Sequence, residues 1–350
     1  MAFVLRLEEC GRLGADRVGG KAFGLARMLE QEAAVPAGFV VTTDAYREWL
    51  TAAGLAPEVA RLAEGAGDTA AQAEASAEIA RLFEAAGLDG ELAGHITRAA
   101  GELVGGEDVP LAVRSSATSE DREDATFAGQ QESWLGLRGD EAILRHVVRC
   151  WASAFSPQAL SYRARLGVPH SEVAMGVVVQ KMVPAEAAGV MLTLDPTTGD
   201  PSQIVIEAAF GLGTTVVGGE VTPDWFAVDK VTREIRSHRI SPKQIADRYD
   251  VAAGSVRRAD VDGEHALIPC VSDEEVIRIG DLGREAERAL GGPQDMEWAL
   301  GPGPSGARSL WVLQARPETV WSKRRRGPVS QAGTTPVDRI ASLFTPRRST

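Results

Sequence analysis

Apolar residues recur along this chain first at helical and then at extended spacing. After Val18-Gly19-Gly20-Lys21, the positions Ala22, Phe23, Leu25, Ala26, Met28 and Leu29 predict a helix that starts at the glycine pair. Val35 to Leu50 (VPAGFVVTTDAYREWL) reads as a turn, a strand and a second helix capped by Thr43 or Asp44. From Ala52 to Gly105 the composition shifts to Ala, Glu and Leu, which predicts two or three short helices broken at Gly65, Gly67, Gly87 and Gly90. Glu141 to Phe155 sets Ile143, Leu144, Val147, Val148, Trp151 and Phe155 on one helical face and His146 on the opposite, solvent-facing one. Ser272 to Leu290 forms another core-facing helix, with Asp273, Glu274 and Glu275 at its start and Gly291-Gly292 at its stop.

The extended segments are richer in β-branched residues. Pro110 to Leu137 predicts a strand (Leu111 to Val113), a polar loop and a second strand (Glu132 to Leu137). Glu172 to Val183 and Ala188 to Asp195 read as two strands joined by the turn Pro184 to Ala187, which on residues alone is a buried hairpin. Ile204 to Glu207 is a strand leading to the turn Gly211-Leu212-Gly213, and Trp225 to Val228 and Glu234 to Ile240 are strands around the turn 229–233. Gln294 to Ala299 and Ser309 to Pro317 form a hairpin whose arms carry Glu297 and Gln314. Strands and helices in this mixture define an α+β protein.

The 350 residues, 44% of them hydrophobic, suffice for two domains or one large bilobed one. A net charge of -12 argues against nucleic acid or an anionic membrane as partner, so a nucleotide site must concentrate its own cations. Cys10, Cys150 and Cys270 lack metal-ligand spacing. The first 21 residues contain no secretory apolar run, and no stretch reaches membrane-spanning length, which leads to the expectation of a reduced, cytoplasmic protein. Residues 323–350 reverse the balance: seven Lys/Arg against Asp338 make this segment +6 and the remainder -18, so it reads as a basic tail or docking segment.

Candidate chemistry gathers at three places. Gly19-Gly20-Lys21 at a helix start offers free N–H groups, a helix dipole and an ammonium, although glycine before a helix is also an ordinary turn. Arg114 precedes Ser115, Ser116, Thr118 and Ser119, whose hydroxyls and close-approach N–H groups suit a polyphosphate, although a solvated hairpin loop fits the same pattern. Glu297 and Gln314 on adjacent antiparallel strands can aim two hard oxygens at Mg²⁺, and Arg316 projects from the same face as Gln314. A sheet with a polar exposed face is the alternative there.

The run RSSATSEDREDATFAGQQESWL (Arg114 to Leu135) closely resembles the phosphate-binding loop of the ATP-binding domain shared by phosphoenolpyruvate synthase, pyruvate phosphate dikinase and rifampin phosphotransferase. The resemblance extends to Gly19-Gly20-Lys21 with Pro36, Gly38 to Thr43, Ala45 and Tyr46, and to DMEWA (Asp295 to Ala299) with LQARPETVW (Leu313 to Trp321), covering residues 14 to 322. It implies a bilobed ATP-grasp fold, with an N-terminal lobe over 1–187 that includes a helical insert at about 52–105, and a C-terminal lobe over 188–322. It further implies that Lys21, Arg114 and Arg316 contact ATP phosphates and that the loop with Ser115, Ser116, Thr118 and Gly129 closes over them. Gln180, Met182 and Val183 would meet the adenine, although Gln180 could equally be satisfying a neighbour in the core. Glu297 and Gln314 would hold magnesium, with Asp295 as an auxiliary ligand. The group usually has a glutamate directly after GLG where this chain has Thr214, so only Glu207 is carried over in that region.

Full-length relatives pass the β-phosphoryl of ATP to a histidine in a GG-x-T-x-HAA context, releasing AMP and phosphate. None of His95, His146, His170, His238 and His265 lies in such a context. The resemblance therefore implies the ATP-binding subunit of a split dikinase-type phosphotransferase with the histidine on a partner subunit. The acceptor best matching such a split is a phenol or cresol, as in phenylphosphate synthase. A split phosphoenolpyruvate synthase, a rifampin phosphotransferase-like domain and a non-catalytic nucleotide-binding regulatory subunit are the alternatives.

Overall fold

The computed structural model describes residues 2–118, 133–170, 173–302 and 308–321. The chain begins with β1 (Val4–Arg6), a 3-10 segment (Leu7–Arg12), α1 (Ala15–Val18), α2 (Gly20–Leu29) and β2 (Gly38–Val41). Four helices follow: α3 (Thr43–Ala52), α4 (Ala56–Glu64), α5 (Thr69–Ala86) and α6 (Gly90–Val104). Next come β3 (Leu111–Ala117), β4 (Ser133–Leu137), α7 (Asp140–Ser153), α8 (Pro157–Leu166) and β5 (Met175–Lys181). The second half contains β6 (Ala187–Leu192), β7 (Gln203–Phe210), α9 (Thr214–Val217), β8 (Asp224–Asp229), β9 (Ile235–Arg239), β10 (Ile245–Asp250) and β11 (Ser255–Asp260). It closes with α10 (Asp273–Leu290), β12 (Gln294–Pro302) and β13 (Arg308–Pro317).

Among the described residues the strands form a five-stranded sheet in the order β1-β2-β5-β3-β4, a six-stranded sheet in the order β13-β12-β6-β7-β8-β9, and the separate hairpin β10-β11. The central strands of the first sheet are buried on both faces. On β5, Val177 and Val179 enter a core made with helices α3 to α8, whereas Val178 enters a second core. That explains the unbroken apolar run, since a strand covered on both sides has no polar face to alternate with. The second core joins the six-stranded sheet and α10 to Leu7, Val18, Ala22, Leu25 and Met28, so α2 packs with the sheet of the other half of the chain. No helix among the described residues is long and apolar enough to cross a membrane.

Several sequence expectations change. Residues 172–183 and 188–195 do not form a hairpin: β5 and β6 lie in different sheets, and Met182 to Glu186 cross from one to the other. The expected boundary at 187 falls on the first residue of β6. The cap of α3 is Thr42, whose hydroxyl accepts from the Ala45 N–H at 3.4 Å, rather than Thr43 or Asp44. Strand β3 continues past Arg114 to Ala117, with Ser115 opposite Val177 and Ser116 opposite Gly176. His146 is half-buried, its ring 5.3 Å from that of Trp134, rather than fully solvent-facing. Three helices, at 56–64, 69–86 and 90–104, occupy the stretch expected to hold two or three, and Ser272 and Glu275 close a capping box on α10.

Helix α2 lies so close to β13 that a Cβ on Gly24 would sit 2.0 Å from the Ala315 carbonyl oxygen. Gly24→Ala is expected to lower stability by about 1–3 kcal/mol, because a backbone atom must move. Gly94→Ala, within α6 and with nothing inside 4 Å, should instead raise it by roughly 0.5–1 kcal/mol. Chemical denaturation of both variants checks the contrast, and equal effects would contradict the packing of α2.

Candidate nucleotide-binding site

Residues of both larger sheets line a cavity of about 350 Å³, a size usual for small-molecule sites. One end is charged. Lys21 is the second residue of α2 and only 2% exposed, and its Nζ donates to the Ser115 carbonyl at 2.7 Å. Ser116 accepts from the Ala22 N–H through its hydroxyl at 3.1 Å, so β3 pins the first turn of the helix. Gly19, the N-cap, has φ of 82°, and a Cβ there would lie 2.0 Å from the Ser116 carbonyl oxygen, which leaves room only for glycine.

Arg114 reaches across from β3 to the other sheet. Its Nη2 pairs with Glu297 Oε2 on β12 and lies 3.4 Å from Gln314 Oε1, its Nη1 donates to the Leu313 carbonyl, and its Nε lies 3.3 Å from the Ser133 hydroxyl. Glu297 stands directly opposite Gln314 and Asp295 opposite Arg316, which puts the four side chains on one face. The register shifts between Glu297 and Trp298, where Trp298 pairs with Val312, so Leu313 is the bulged residue. A bulge leaves its residue out of the ladder, and here the Leu313 carbonyl turns to Arg114 instead. Arg316 donates to Asp295 Oδ2 through Nη2 at 2.6 Å and through Nε at 3.0 Å.

Burial alone would push the Glu297 carboxyl up; the nearby charges of Arg114, Lys21 and Arg316, with the Arg114 hydrogen bond, outweigh it and hold the group below its ordinary value. Glu297 is therefore an anion at neutral pH. It and the Gln314 amide oxygen already converge on one cationic nitrogen, and they are two of the hard oxygen donors a divalent cation would take. Among the described residues no cluster of three or more His, Cys, Asp or Glu exists, so an ion here would take its remaining oxygens from water and phosphate, as Mg²⁺ commonly does.

The other end is mainly apolar. Met182 and Val183 from the crossing segment, Leu135 from β4, Leu212 and, in α9, Val217 form its walls, with Lys181 of β5 beside them. Gln180 also lines the cavity, but its amide Nε2 donates to the Pro36 carbonyl at 2.8 Å, the satisfied-neighbour role that the sequence left open.

The cavity thus brings together Lys21, Arg114, Gln180, Met182, Val183, Glu297, Gln314 and Arg316. It does not include the side chains of Ser115, Ser116, Thr118 or Glu207 among its walls. The two serines act on α2, and the Thr118 hydroxyl faces the Ala174 carbonyl at 3.3 Å. Glu207 lies in β7, half-buried, and its carboxyl is raised by that burial. Gly129 lies outside the described residues.

Thr214, to which the sequence assigned nothing, lines the cavity and donates through its hydroxyl to Asp247 Oδ2 at 2.8 Å. Asp247 also accepts from Arg258 Nε at 2.9 Å, and its backbone oxygen accepts from the Leu212 N–H at 2.8 Å. Two residues further along β10, the Tyr249 hydroxyl accepts from Arg138 Nε at 2.6 Å, and the Tyr249 ring sits against Gly136 of β4. The β10-β11 hairpin thereby ties the β4 wall to the Gly211-Leu212-Gly213 wall. The Gly-Leu-Gly turn was the available sign of this region; the hairpin, half of whose strand residues are charged, offered none.

Glu297→Gln preserves shape and removes the charge. Because the folded carboxyl titrates below its ordinary value of 4.5, its contribution to stability is present above that value and disappears as pH falls through the lower, folded one. The variant should be less stable than wild type by about 1–3 kcal/mol at pH 7, and the gap should close progressively below pH 4.5. Urea denaturation across pH checks this; a constant gap would show that the carboxylate charge is not what Arg114 and its neighbours stabilise.

Over residues 15–335 the chain matches the family described as "Pyruvate phosphate dikinase, AMP/ATP-binding domain". It is 38% identical over 331 residues to the probable phosphoenolpyruvate synthase of Methanocaldococcus jannaschii, covering 93% of this chain and 27% of that protein. It is 38% identical over 351 residues to the phosphoenolpyruvate synthase of Aeropyrum pernix, covering 92% and 43% respectively. With the rifampicin phosphotransferase of Streptomyces sviceus the identity is 40% over 322 residues, covering 91% and 36%. The chain spans less than half the length of these curated relatives. With every element from α1 to β13, and so every residue of the cavity wall, inside the matched region, the chain belongs to the pyruvate phosphate dikinase AMP/ATP-binding domain family.

Proposed function

We propose that the cavity binds ATP in the manner of an ATP-grasp protein and activates it for dikinase-type phosphoryl transfer. One observation carries this reading: Lys21, Arg114 and Arg316, from three separate parts of the chain, meet an oxygen pair, Glu297 and Gln314, at one end of a cavity whose other end is apolar. The triphosphate takes the charged end and the adenine the apolar one, against Met182, Val183 and the aliphatic part of Gln180. The three cations stabilise charge on the phosphoryl oxygens as it shifts from nucleotide to acceptor, which with positioning is the main source of catalysis in phosphoryl transfer. Glu297 and Gln314, with Asp295 in support, would hold Mg²⁺, which would supply neutralisation of phosphate charge.

The β-phosphoryl then passes to a histidine with AMP as leaving group, and a water molecule takes the γ-phosphoryl, releasing it as phosphate. No histidine among the described residues lines the cavity, and we place the acceptor histidine on a separate subunit that also carries the final acceptor site. A phenol or cresol, as with phenylphosphate synthase, is the acceptor we favour. The relatives named phosphoenolpyruvate synthase and rifampicin phosphotransferase support a second reading, in which the same ATP chemistry serves one of those reactions. The reaction is assigned to the cytoplasm. A nucleotide-binding regulatory subunit without turnover is the contrasting class; Lys21, Arg114, Glu297, Gln314 and Arg316 speak against it, and Thr214 speaks mildly for it.

Purified protein with Mg²⁺ and either β- or γ-labelled ATP, with and without lysate of its source, tests the reading. Acid-labile label from the β position on a second polypeptide, with AMP released, is the expected result. Label from the γ position with ADP would mean an ordinary kinase, and binding without transfer the regulatory role. In the active mixture Glu297→Ala should abolish Mg²⁺-dependent AMP formation, and Lys21→Ala or Arg316→Ala should lower its rate by roughly 10²–10³-fold. Unchanged AMP formation in Glu297→Ala would overturn the metal assignment.

A further inference from the structure

We propose that Arg114 serves as an internal cation that reserves Glu297 and Gln314, so that a divalent metal gains these ligands only together with a nucleotide whose phosphates draw the guanidinium away. This rests on reading the cavity as a metal–nucleotide site. Arg114 Nη2 contacts Glu297 Oε2 and Gln314 Oε1, side-chain oxygens of the two residues that stand opposite each other in the hairpin and that we propose as the ion's ligands. A guanidinium nitrogen and a metal ion cannot share that place. The Arg114 side chain is 9% exposed and its Nε and Nη1 are also engaged, by Ser133 and the Leu313 carbonyl, so solvent does not readily replace these contacts.

The local charge points the same way. Lys21, Arg114 and Arg316 face two carboxylates, Glu297 and Asp295, and Asp295 is already paired with Arg316. A site with an excess of positive charge repels a divalent cation, and at protein-interior dielectric that repulsion is far stronger than in water. A triphosphate reverses it. Its oxygens are bidentate partners for a guanidinium, and taking Arg114 away from Glu297 releases a carboxylate at the moment the local charge becomes negative. The coupling is reciprocal, so the metal must strengthen nucleotide binding by the factor by which nucleotide strengthens metal binding.

The test uses Mn²⁺ as the probe, followed by electron paramagnetic resonance, with a non-hydrolysable ATP analogue followed by calorimetry. Wild-type protein alone should show no Mn²⁺ binding beyond that of Glu297→Gln. Arg114→Met, which retains bulk and removes charge, should acquire a Mn²⁺ site without nucleotide, at least about tenfold tighter than wild type, and Arg114→Met combined with Glu297→Gln should lose it again. Mn²⁺ should strengthen analogue binding to wild type by at least about fivefold and to Glu297→Gln hardly at all. Circular dichroism checks folding of the variants, and the wild-type arms decide the matter even if Arg114→Met does not fold. Glu297-dependent Mn²⁺ binding to wild type without nucleotide would overturn the reservation by Arg114 while leaving the metal site standing. No Glu297-dependent effect of Mn²⁺ in any arm would remove the metal site itself and the proposal with it.

Discussion

A guanidinium on one sheet meets a carboxylate on the other, and the charged end of the cavity is organised around that contact. The Arg114–Glu297 pair joins β3 to β12, chain segments 183 residues apart. Partly buried ion pairs of this kind add little net stability, because desolvation cancels much of the attraction, and apolar replacements of the same volume are often neutral or better. Their additional hydrogen bonds decide whether they are tolerable. Here the Leu313 carbonyl, Ser133 and Gln314 complete the surroundings of Arg114, and the bulge in β13 exists where the first of these is needed. So much polar construction around a contact of small stabilising value is better understood as preparation for a charged ligand than as a contribution to folding.

Placing Lys21 beside this pair is a backbone problem before it is an electrostatic one. A lysine near an arginine is unfavourable unless both are held, and α2 is held by close approach. Gly19 lies against the Ser116 carbonyl, Gly24 against the Ala315 carbonyl, and Gly176 of β5 against the Val18 carbonyl, at distances where a side chain would collide. The helix is thus wedged between β3 and β13, the same strands that carry Arg114 and Arg316. Three cations that are remote in sequence become neighbours because one small-residue helix touches both strands.

Much of this was legible in the residues. The Gly19-Gly20-Lys21 helix start, the Glu297–Gln314 hairpin and the glycine-bounded helices at 56–104 follow from spacing and capping, which are local properties. What local pattern could not supply is the destination of each strand. The β5 and β6 segments look like a hairpin because the link is short, yet Met182 to Glu186 carry the chain from one sheet to the other, and only tertiary pairing distinguishes the two cases. Ser115 and Ser116 look like loop residues because serine favours turns, but their hydroxyl and carbonyl groups are consumed by α2, which makes them acceptable inside a buried strand. The β10-β11 hairpin went unseen because IADRYD and SVRRAD contain too few apolar residues to show a period.

That unseen hairpin bears on how a cavity built from two sheets keeps its shape. One hydrophobic core belongs to the five-stranded sheet and its helices, the other is shared by both sheets through Val40 and Val178, and the direct polar link between the sheets is concentrated at Arg114, at the charged end. The apolar end has walls on β4 and beside α9 that belong to different halves of the molecule. Tyr249 packs on Gly136, where φ is 76° and a side chain would crowd the ring, and holds Arg138; Asp247 holds Thr214 and the Leu212 N–H at the opposite wall. Because Asp247 is held low by its Arg258 hydrogen bond, it stays an acceptor for Thr214 throughout the neutral range. A threonine hydroxyl serves that linkage, whereas a carboxylate in its place would face Asp247 as a like charge, so the residue at 214 is matched to the aspartate that stands opposite it.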